Sequence, residues 1–235
     1  MSSPVPASVR MTPERTDSST RLVLVRHGEA ACHLRGVVGG PGGCTGLSEL
    51  GVQQAQSLRR RLEETGELSG ASALYASVLT RAVQTASVIG PAVGSGMLGI
   101  VEDSQLCELH PGDADGLSWE EFRLTYGEPD WDVDPDTPVA PGGESWTGFV
   151  ARAAEALSSL ARRHRGEEAV VVCHAGVIEA AMLRFLPVDG SRRRLGLRTS
   201  YVSLTEFELT GPDVEGTQSG DWRLLRYNDA AHLPG

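Results

Sequence analysis

The sequence of 235 residues contains only four cysteines and no closely spaced pair of them. Without such a pair, neither a zinc site nor a redox disulfide of the CxxC type is expected. A chain of this length can bury a substantial core, so it has no need of disulfides for stability. We therefore expect reduced thiols and a cytoplasmic protein.

The chain as a whole has little positive charge relative to its acids, and its first twenty residues contain no apolar run. The formal net charge is −10, whereas nucleic acid and anionic membranes are bound by clustered Lys and Arg. The basic run Arg192–Arg194 is short and is interpreted as a solvated loop. Residues 1–20 resemble neither a secretory signal nor a membrane span, so we expect a disordered tail there. Neither nucleic acid nor a membrane is expected as a partner, and the oligomeric state, a homo-oligomer included, stays open.

What the chain does contain is an alternation of strands and helices. Apolar runs predict strands at residues 21–26, 73–76, 98–101, 169–173, 202–208 and 222–227. Helices are predicted at 49–64, 80–89 and 145–164, the first with Ser48 as its N-cap and Leu50, Ala55, Leu58 and Leu62 on its apolar face. This order predicts one α/β domain over 21–235, a three-layer sandwich with a mostly parallel central sheet, helices on both faces and an inserted cap segment.

Two of the apolar strands lead directly into a histidine. One ends in Arg26-His27-Gly28, and the other ends at His174. Parallel strands would place these residues side by side, at the edge of the sheet where such folds bind ligands. Arg81, in the first turn of the helix after a third strand, is expected at the same edge. These residues predict one pocket with two arginines and two histidines.

This set of residue types suits chemistry on a phosphate monoester. Arginines such as Arg26 and Arg81 bind its charged oxygens bidentately. A neutral imidazole whose other nitrogen is held can attack phosphorus, and His27 is assigned this role. His174 would stabilise the charge of the transition state, and Glu108 would protonate the leaving alkoxide and later activate water.

Five segments of the chain resemble, in order, the histidine phosphatase superfamily, also called the phosphoglycerate mutase-like family. They are residues 24–29, 47–55, 75–86, 106–109 and 172–176, and the resemblance covers roughly residues 20 to 230. It implies an α/β sandwich and metal-independent catalysis without a cofactor. It also implies His27 as the phosphorylated nucleophile, Glu108 as the proton donor, and Arg26, Arg81 and His174 as the phosphate pocket.

Two features depart from the family pattern. Many members carry an asparagine six residues beyond the nucleophile, where this chain has His33, so that phosphate contact is either made by imidazole or lost. The loop over residues 36–44 is longer than usual in the family. Gly39 and Gly40 within it are candidate substrate-binding residues, together with His33.

Residues 110–145 hold ten acids and a single base, Arg123. They are predicted to form either a cap over the pocket, with a short helix at 118–125, or a solvated acidic loop. Glycolytic mutases of the family need basic residues in this segment, so hydrolysis is favoured over mutase chemistry. An overhanging acidic cap would favour a monophosphate of a neutral or amine-bearing alcohol.

Other interpretations stay in view. A mutase-type phosphotransferase and a non-catalytic phosphoryl-binding module are the alternatives to a phosphatase, and the sequence does not name the phosphorylated alcohol. Four histidines (His27, His33, His110 and His174) could approach the pocket, but their spacing is not that of a metal site. His110 is interpreted as polar lining or as an exposed loop residue. Cys107 and Cys173 are expected to pack behind the site.

Overall fold

The computed structural model describes residues 19–186, 196–211 and 221–234. The predicted tail, apart from its last two residues, and the basic run Arg192–Arg194 lie outside these ranges. The strands and α-helices run in the order β1 (Thr20–Arg26), α1 (Ala31–Leu34), α2 (Glu49–Thr65), β2 (Ala73–Ser77), α3 (Thr80–Ile89), β3 (Ile100–Asp103), α4 (Trp119–Tyr126), α5 (Trp146–Arg163), β4 (Glu168–Cys173), α6 (Ala175–Phe185), β5 (Leu204–Thr210) and β6 (Asp221–Asp229). Within the described ranges, no helix combines the length and the apolar character that crossing a membrane requires.

The six strands form one sheet in the order β3-β2-β4-β1-β5-β6. Strands β3, β2, β4 and β1 run parallel to one another, and β5 and β6 form an antiparallel edge next to β1. In the register between β1 and β4, Arg26 lies opposite Cys173, so the next residue on each strand, His27 and His174, leaves the sheet beside the other. The predicted α/β sandwich with a mostly parallel sheet is confirmed.

The alternation of side chains along β1 explains why helices cover both faces. Leu22 and Leu24 point into a core formed with α5 and α6, whereas Val23 and Val25 point into a core formed with α2 and α3. All four side chains are fully buried. A strand that is apolar at every position is typical of a sheet with helices on both sides.

Three local predictions were wrong. Leu50 was predicted on the apolar face of α2 but is 49% exposed. The buried stripe of this helix runs through Gly51, Ala55, Leu58 and Leu62, and Leu50 precedes its first residue. Strand β3 begins at Ile100 rather than at residue 98. It lies at the edge of the sheet, where a pattern of apolar residues defines the ends of a strand poorly. Strand β5 begins after Val202, whose φ of 50° is not compatible with extended backbone.

A close backbone approach fixes the loop after His27. A Cβ atom on Gly28 would lie 2.6 Å from the carbonyl oxygen of Gly51, and a Cβ on Gly51 would overlap the carbonyl of Glu29. Ser48 tightens this junction, since its hydroxyl accepts from Gly51 N–H (2.9 Å) and donates to the Glu29 carboxylate (2.7 Å). The glycine after His27 is therefore required for packing the strand end onto the start of α2.

Candidate active site

A cavity of about 540 Å³ lies at the carboxyl ends of the parallel strands. Its lining includes most of the residues that the sequence predicted: Arg26, His27, His33, Gly39, Gly40, Arg81 and Glu108. His174 is fully buried beside this cavity rather than on its surface, with its ring centroid 5.0 Å from that of His27. The structure thus brings the predicted residues to one place.

The hydrogen bonds of the His27 ring define its tautomer. Nδ1 lies 2.6 Å from the carbonyl oxygen of Gly28, which can only accept, so Nδ1 carries the proton. Nε2 accepts a hydrogen bond from Nε of Arg81 at 3.1 Å and therefore presents its lone pair. Burial, and then the charge of Arg81, hold the pKa of His27 well below its usual value, so the imidazole is neutral near pH 7.

The two arginines are held by different means. Arg81, in the first turn of α3, is buried and donates to the carbonyl oxygen of Gly39 at 2.7 Å. Arg26, the last residue of β1, donates to the carbonyl oxygen of Thr199. Its guanidinium lies 4.1 Å from the ring centroid of Tyr201, a cation–π contact. Both guanidinium groups are thereby held near His27. None of their described contacts is with a carboxylate.

His174 is positioned by Ser77. The His174 Nε2 atom lies 2.8 Å from the Ser77 hydroxyl, while Nδ1 is buried and makes no hydrogen bond to any described residue. Burial, followed by the charge of Arg81, lowers the pKa of His174 well below its usual value. The Ser77 hydroxyl also accepts from Leu79 N–H (3.2 Å) and contacts Cys107 Sγ (3.3 Å). Nδ1 is therefore the nitrogen of His174 left to bind a ligand.

Glu108 is held at the start of a helix that the sequence patterns did not predict. Its two carboxylate oxygens accept from the N–H groups of Leu109 (3.2 Å) and Gly176 (3.0 Å). Gly176 belongs to the first turn of α6, so the start of this helix positions the acid. A Cβ atom on Gly176 would overlap the Glu108 carboxylate, so this position admits no larger residue without displacing the acid.

His33 lines the cavity and is held by Tyr201, a residue that the sequence patterns did not reveal. His33 Nδ1 lies 3.0 Å from the Tyr201 hydroxyl, and the two rings stack at 6.0 Å between centroids and 24° between planes. Burial and the charges of Arg81 and Arg26 lower the pKa of His33 to about 4. Tyr201 lies in an irregular segment, where no periodicity marks it, and it links His33 to Arg26.

The glycine loop is anchored by Asp115. Its carboxylate accepts from the N–H groups of Gly40 (2.9 Å), Gly42 (2.6 Å) and Gly43 (2.9 Å). Both Gly39 and Gly40 line the cavity, but the Gly39 carbonyl is bonded to Arg81 and the Gly40 N–H to Asp115. The Gly39 carbonyl and the Gly40 N–H therefore hold the loop in shape.

The segment 110–145 lies against the cavity, and its helix is α4, close to the predicted bounds. Of its ten acids, Glu128 alone is among the described residues that line the cavity. Glu121 closes a capping box with Ser118, and Glu144 binds Arg152 through two 2.7 Å contacts. Several acids of this segment thus stabilise its own fold, which weakens the expected effect of its charge on the pocket.

Two further expectations concern side chains around the site. His110 does not line the cavity; it lies half-exposed with its Nδ1 atom 3.9 Å from the Glu144 carboxylate, so the interpretation as polar lining was wrong. All four cysteines are free and buried, and Cys107 and Cys173 pack behind the site as predicted. No group of three or more His, Cys, Asp or Glu side chains within the described ranges is placed to hold a metal ion.

Replacing Ser77 by alanine is expected to lower kcat about 10- to 100-fold with little change in KM, on the scale set by partners that orient metal-binding imidazoles. The substitution removes the hydroxyl that holds His174 Nε2, and the freed ring can then turn Nδ1 away from a ligand. The measurement is steady-state turnover with thermal unfolding as a fold check. A kcat within twofold of the wild type in a folded variant would contradict this role.

The chain matches known proteins over most of its length. The model of the histidine phosphatase superfamily (branch 1) matches residues 22–229. A metal-independent phosphoserine phosphatase of Arabidopsis thaliana is 30% identical over 219 residues, which cover 91% of this chain and 83% of the relative. A 2,3-bisphosphoglycerate-dependent phosphoglycerate mutase of Rhizobium johnstonii is 34% identical over 173 residues, covering 70% of this chain and 79% of the relative. A solved mycobacterial glucosyl-3-phosphoglycerate phosphatase superposes with a TM-score of 0.69 at 26% identity, covering 88% of this chain and 98% of the other.

Proposed function

The chain belongs to the histidine phosphatase superfamily, and from this membership we propose that it hydrolyses a phosphate monoester of a small molecule through a phosphohistidine on His27, without a metal. Relatives named as phosphatases, one of them described as metal-independent, support the hydrolase class. Arg26, Arg81 and His174 bind the phosphoryl oxygens in this proposal. Glu108 is the general acid and then the general base.

The reaction takes two steps. In the first, Nε2 of His27 attacks phosphorus, the bond between phosphorus and the ester oxygen breaks, and the leaving alkoxide takes a proton from Glu108. In the second, a water molecule gives a proton to Glu108 and attacks phosphorus, and the bond to Nε2 breaks. Inorganic phosphate leaves and His27 returns to its starting state. Arg26 and Arg81 stabilise the equatorial oxygens in both steps.

The two hydrogen bonds of the His27 ring carry this proposal. The bond from Nδ1 to the Gly28 carbonyl keeps the proton away from Nε2, and the lowered pKa keeps the ring neutral, so Nε2 is a competent nucleophile. Arg81 Nε donates to this same nitrogen. An incoming phosphoryl oxygen has to take over that donor before the attack, which couples phosphate binding to release of the lone pair.

A mutase-type transfer is the second candidate, since the chain is also similar to phosphoglycerate mutases. A mutase must hold a substrate with two anionic groups at once. Among the described residues that line the cavity, the arginines are Arg26 and Arg81, and both lie beside His27. A binding module without turnover would need neither a held nucleophile nor an acid such as Glu108. Hydrolysis accounts for the site best.

The test is release of inorganic phosphate from a panel of monophosphates in EDTA, between about pH 5 and 8. We expect release that the chelator leaves unchanged. Release that appears only with added divalent ions would contradict the metal-independent mechanism. Phosphoryl transfer that needs a bisphosphate primer, with no free phosphate from any ester, would replace the phosphatase with the mutase.

A further inference from the structure

One part of the cavity wall is aromatic. Three of the four tryptophans in the chain, Trp119, Trp131 and Trp146, line it together with Phe122. Trp119 and Phe122 lie on α4, and Trp131 lies elsewhere in the cap segment 110–145. Trp146 is the first residue of α5. Aromatic residues make up only 5% of the sequence, so their collection at one cavity is a marked concentration.

These rings are held in place before any ligand arrives. Trp131 stacks on Trp146 with 5.7 Å between centroids and 25° between planes, and its indole N–H donates to the carbonyl oxygen of Thr137 at 2.9 Å. Trp119 packs edge-on against Phe122 at 5.7 Å. Because the Trp131 N–H is bonded to backbone, the ring offers its apolar surface to the cavity. A wall fixed in this way needs little ordering when a ligand binds.

The neighbouring side chains extend this apolar character. Leu109, Val38 and Val139 complete the described lining near the aromatic rings, with prolines and small residues between them. The described arginines of the lining lie beside His27. The carboxylate of Glu128 belongs to the cap segment and lies 3.6 Å from the guanidinium of Arg123. An anionic group on the leaving alcohol would therefore meet mainly hydrocarbon at the aromatic wall.

The volume of the cavity agrees with a bulky leaving group. About 540 Å³ falls in the range of pockets that bind drug-sized ligands. A phosphoryl group on a chain of two or three carbon atoms would leave the aromatic wall in contact with water. A flat apolar group of one or two rings would cover it.

Resting on the proposed phosphatase function, we infer that the cap forms an aromatic subsite for the leaving alcohol, and that the substrate class is the phosphate monoester of an alcohol with a flat apolar group. The ring stacks on Trp119 and Trp131 while the phosphoryl group lies at His27. Stacking and burial of apolar surface supply the binding. The cap then determines which alcohol is preferred, and the residues at the ends of the strands carry out the chemistry.

The experiment compares esters whose leaving groups are all primary alcohols, so that their departure is similar. 2-Phenylethyl phosphate, ethyl phosphate, phosphocholine and phosphoserine are assayed for kcat/KM. We expect 2-phenylethyl phosphate to exceed ethyl phosphate on the order of tenfold, mainly through KM, as burial of a phenyl ring predicts. Equal values for these two esters, or a higher value for phosphocholine or phosphoserine, would overturn the aromatic subsite.

Variants locate the preference in the cap. Trp119→Ala and Trp131→Ala are expected to raise the KM for 2-phenylethyl phosphate about fivefold or more relative to the KM for ethyl phosphate. Thermal unfolding shows whether each variant is folded. Leu124→Ala is the matched control, since Leu124 lies on the same helix as Trp119, is 80% exposed and does not line the cavity. Unchanged KM in both tryptophan variants would overturn the inference.

The inference and the proposed function fail in different ways. Turnover of ethyl phosphate as fast as that of 2-phenylethyl phosphate removes the subsite and leaves the phosphatase intact. Absence of phosphate release from every ester, for a folded protein, removes the phosphatase itself and the subsite that rests on it. The two results cannot be mistaken for each other.

Discussion

Replacing His27 by alanine is expected to abolish phosphate release, with a loss of at least about 10⁴-fold in kcat/KM, the order seen when a covalent nucleophile is removed. The alanine variant keeps Arg26 and Arg81 and should still bind phosphate. Turnover that survives the substitution would show that His27 is not the nucleophile. The measurement is phosphate release from the best ester of the panel, with inorganic phosphate affinity as a second readout.

The proposed phosphohistidine can be tested for directly. Quenching the wild type during turnover should trap an adduct that is stable in alkali and labile in acid, the behaviour of a phosphorus–nitrogen bond, and His27→Ala should trap none. The chain contains no lysine, which removes one other source of such a bond. His110→Ala is the matched control, because His110 lies half-exposed outside the cavity. Equal trapping in the wild type and in His27→Ala would contradict the assignment of the nucleophile.

Replacing Glu108 by glutamine is expected to slow hydrolysis of alkyl phosphates about 10²- to 10⁴-fold, the contribution of general acid–base catalysis. With 4-nitrophenyl phosphate, whose leaving group needs no proton, the first step should stay fast while the second, which needs a base, becomes slow. We therefore expect a burst of one 4-nitrophenolate per active site before slow turnover. Stopped-flow absorbance measures both phases.

Two further variants sharpen this test. Gly176→Ala should reproduce part of the Glu108→Gln phenotype, because the added methyl group would occupy the position of the carboxylate. Glu120→Gln makes the same chemical change on an exposed cap residue that does not line the cavity, and its turnover should equal that of the wild type. A uniform loss with alkyl and nitrophenyl esters alike in Glu108→Gln, without a burst, would contradict the role of Glu108 as proton donor.

The part of the site built on the sheet could be predicted from the sequence. Fully apolar runs before His27 and His174 indicated buried parallel strands, and parallel strands place the residues beyond their carboxyl ends at one edge of the sheet. Arg81 was found because the helix after β2 begins where the pattern put it, at Thr80. In each case a short-range pattern and the geometry of the sheet together determined the position.

The residues that orient these groups could not be predicted in the same way. The contact of Ser77 with His174 spans 97 residues of sequence and that of Tyr201 with His33 spans 168, and no local pattern carries such information. Asp115 was counted among ten acids of the cap, although its carboxylate is engaged with three backbone N–H groups. Helix α6 was overlooked because its sequence is nearly all apolar, so that it continues the strand before it without a change in periodicity.

Asp115 links the cap segment to the glycine loop through hydrogen bonds. Because one carboxylate of the insertion holds Gly40, Gly42 and Gly43, a cap grafted from a relative would carry over a new preference for the alcohol only if it supplied an acid at this point. A graft without it would release the loop whose Gly39 carbonyl steadies Arg81. In this chain the cap segment and the loop that holds Arg81 are thus joined by a single carboxylate.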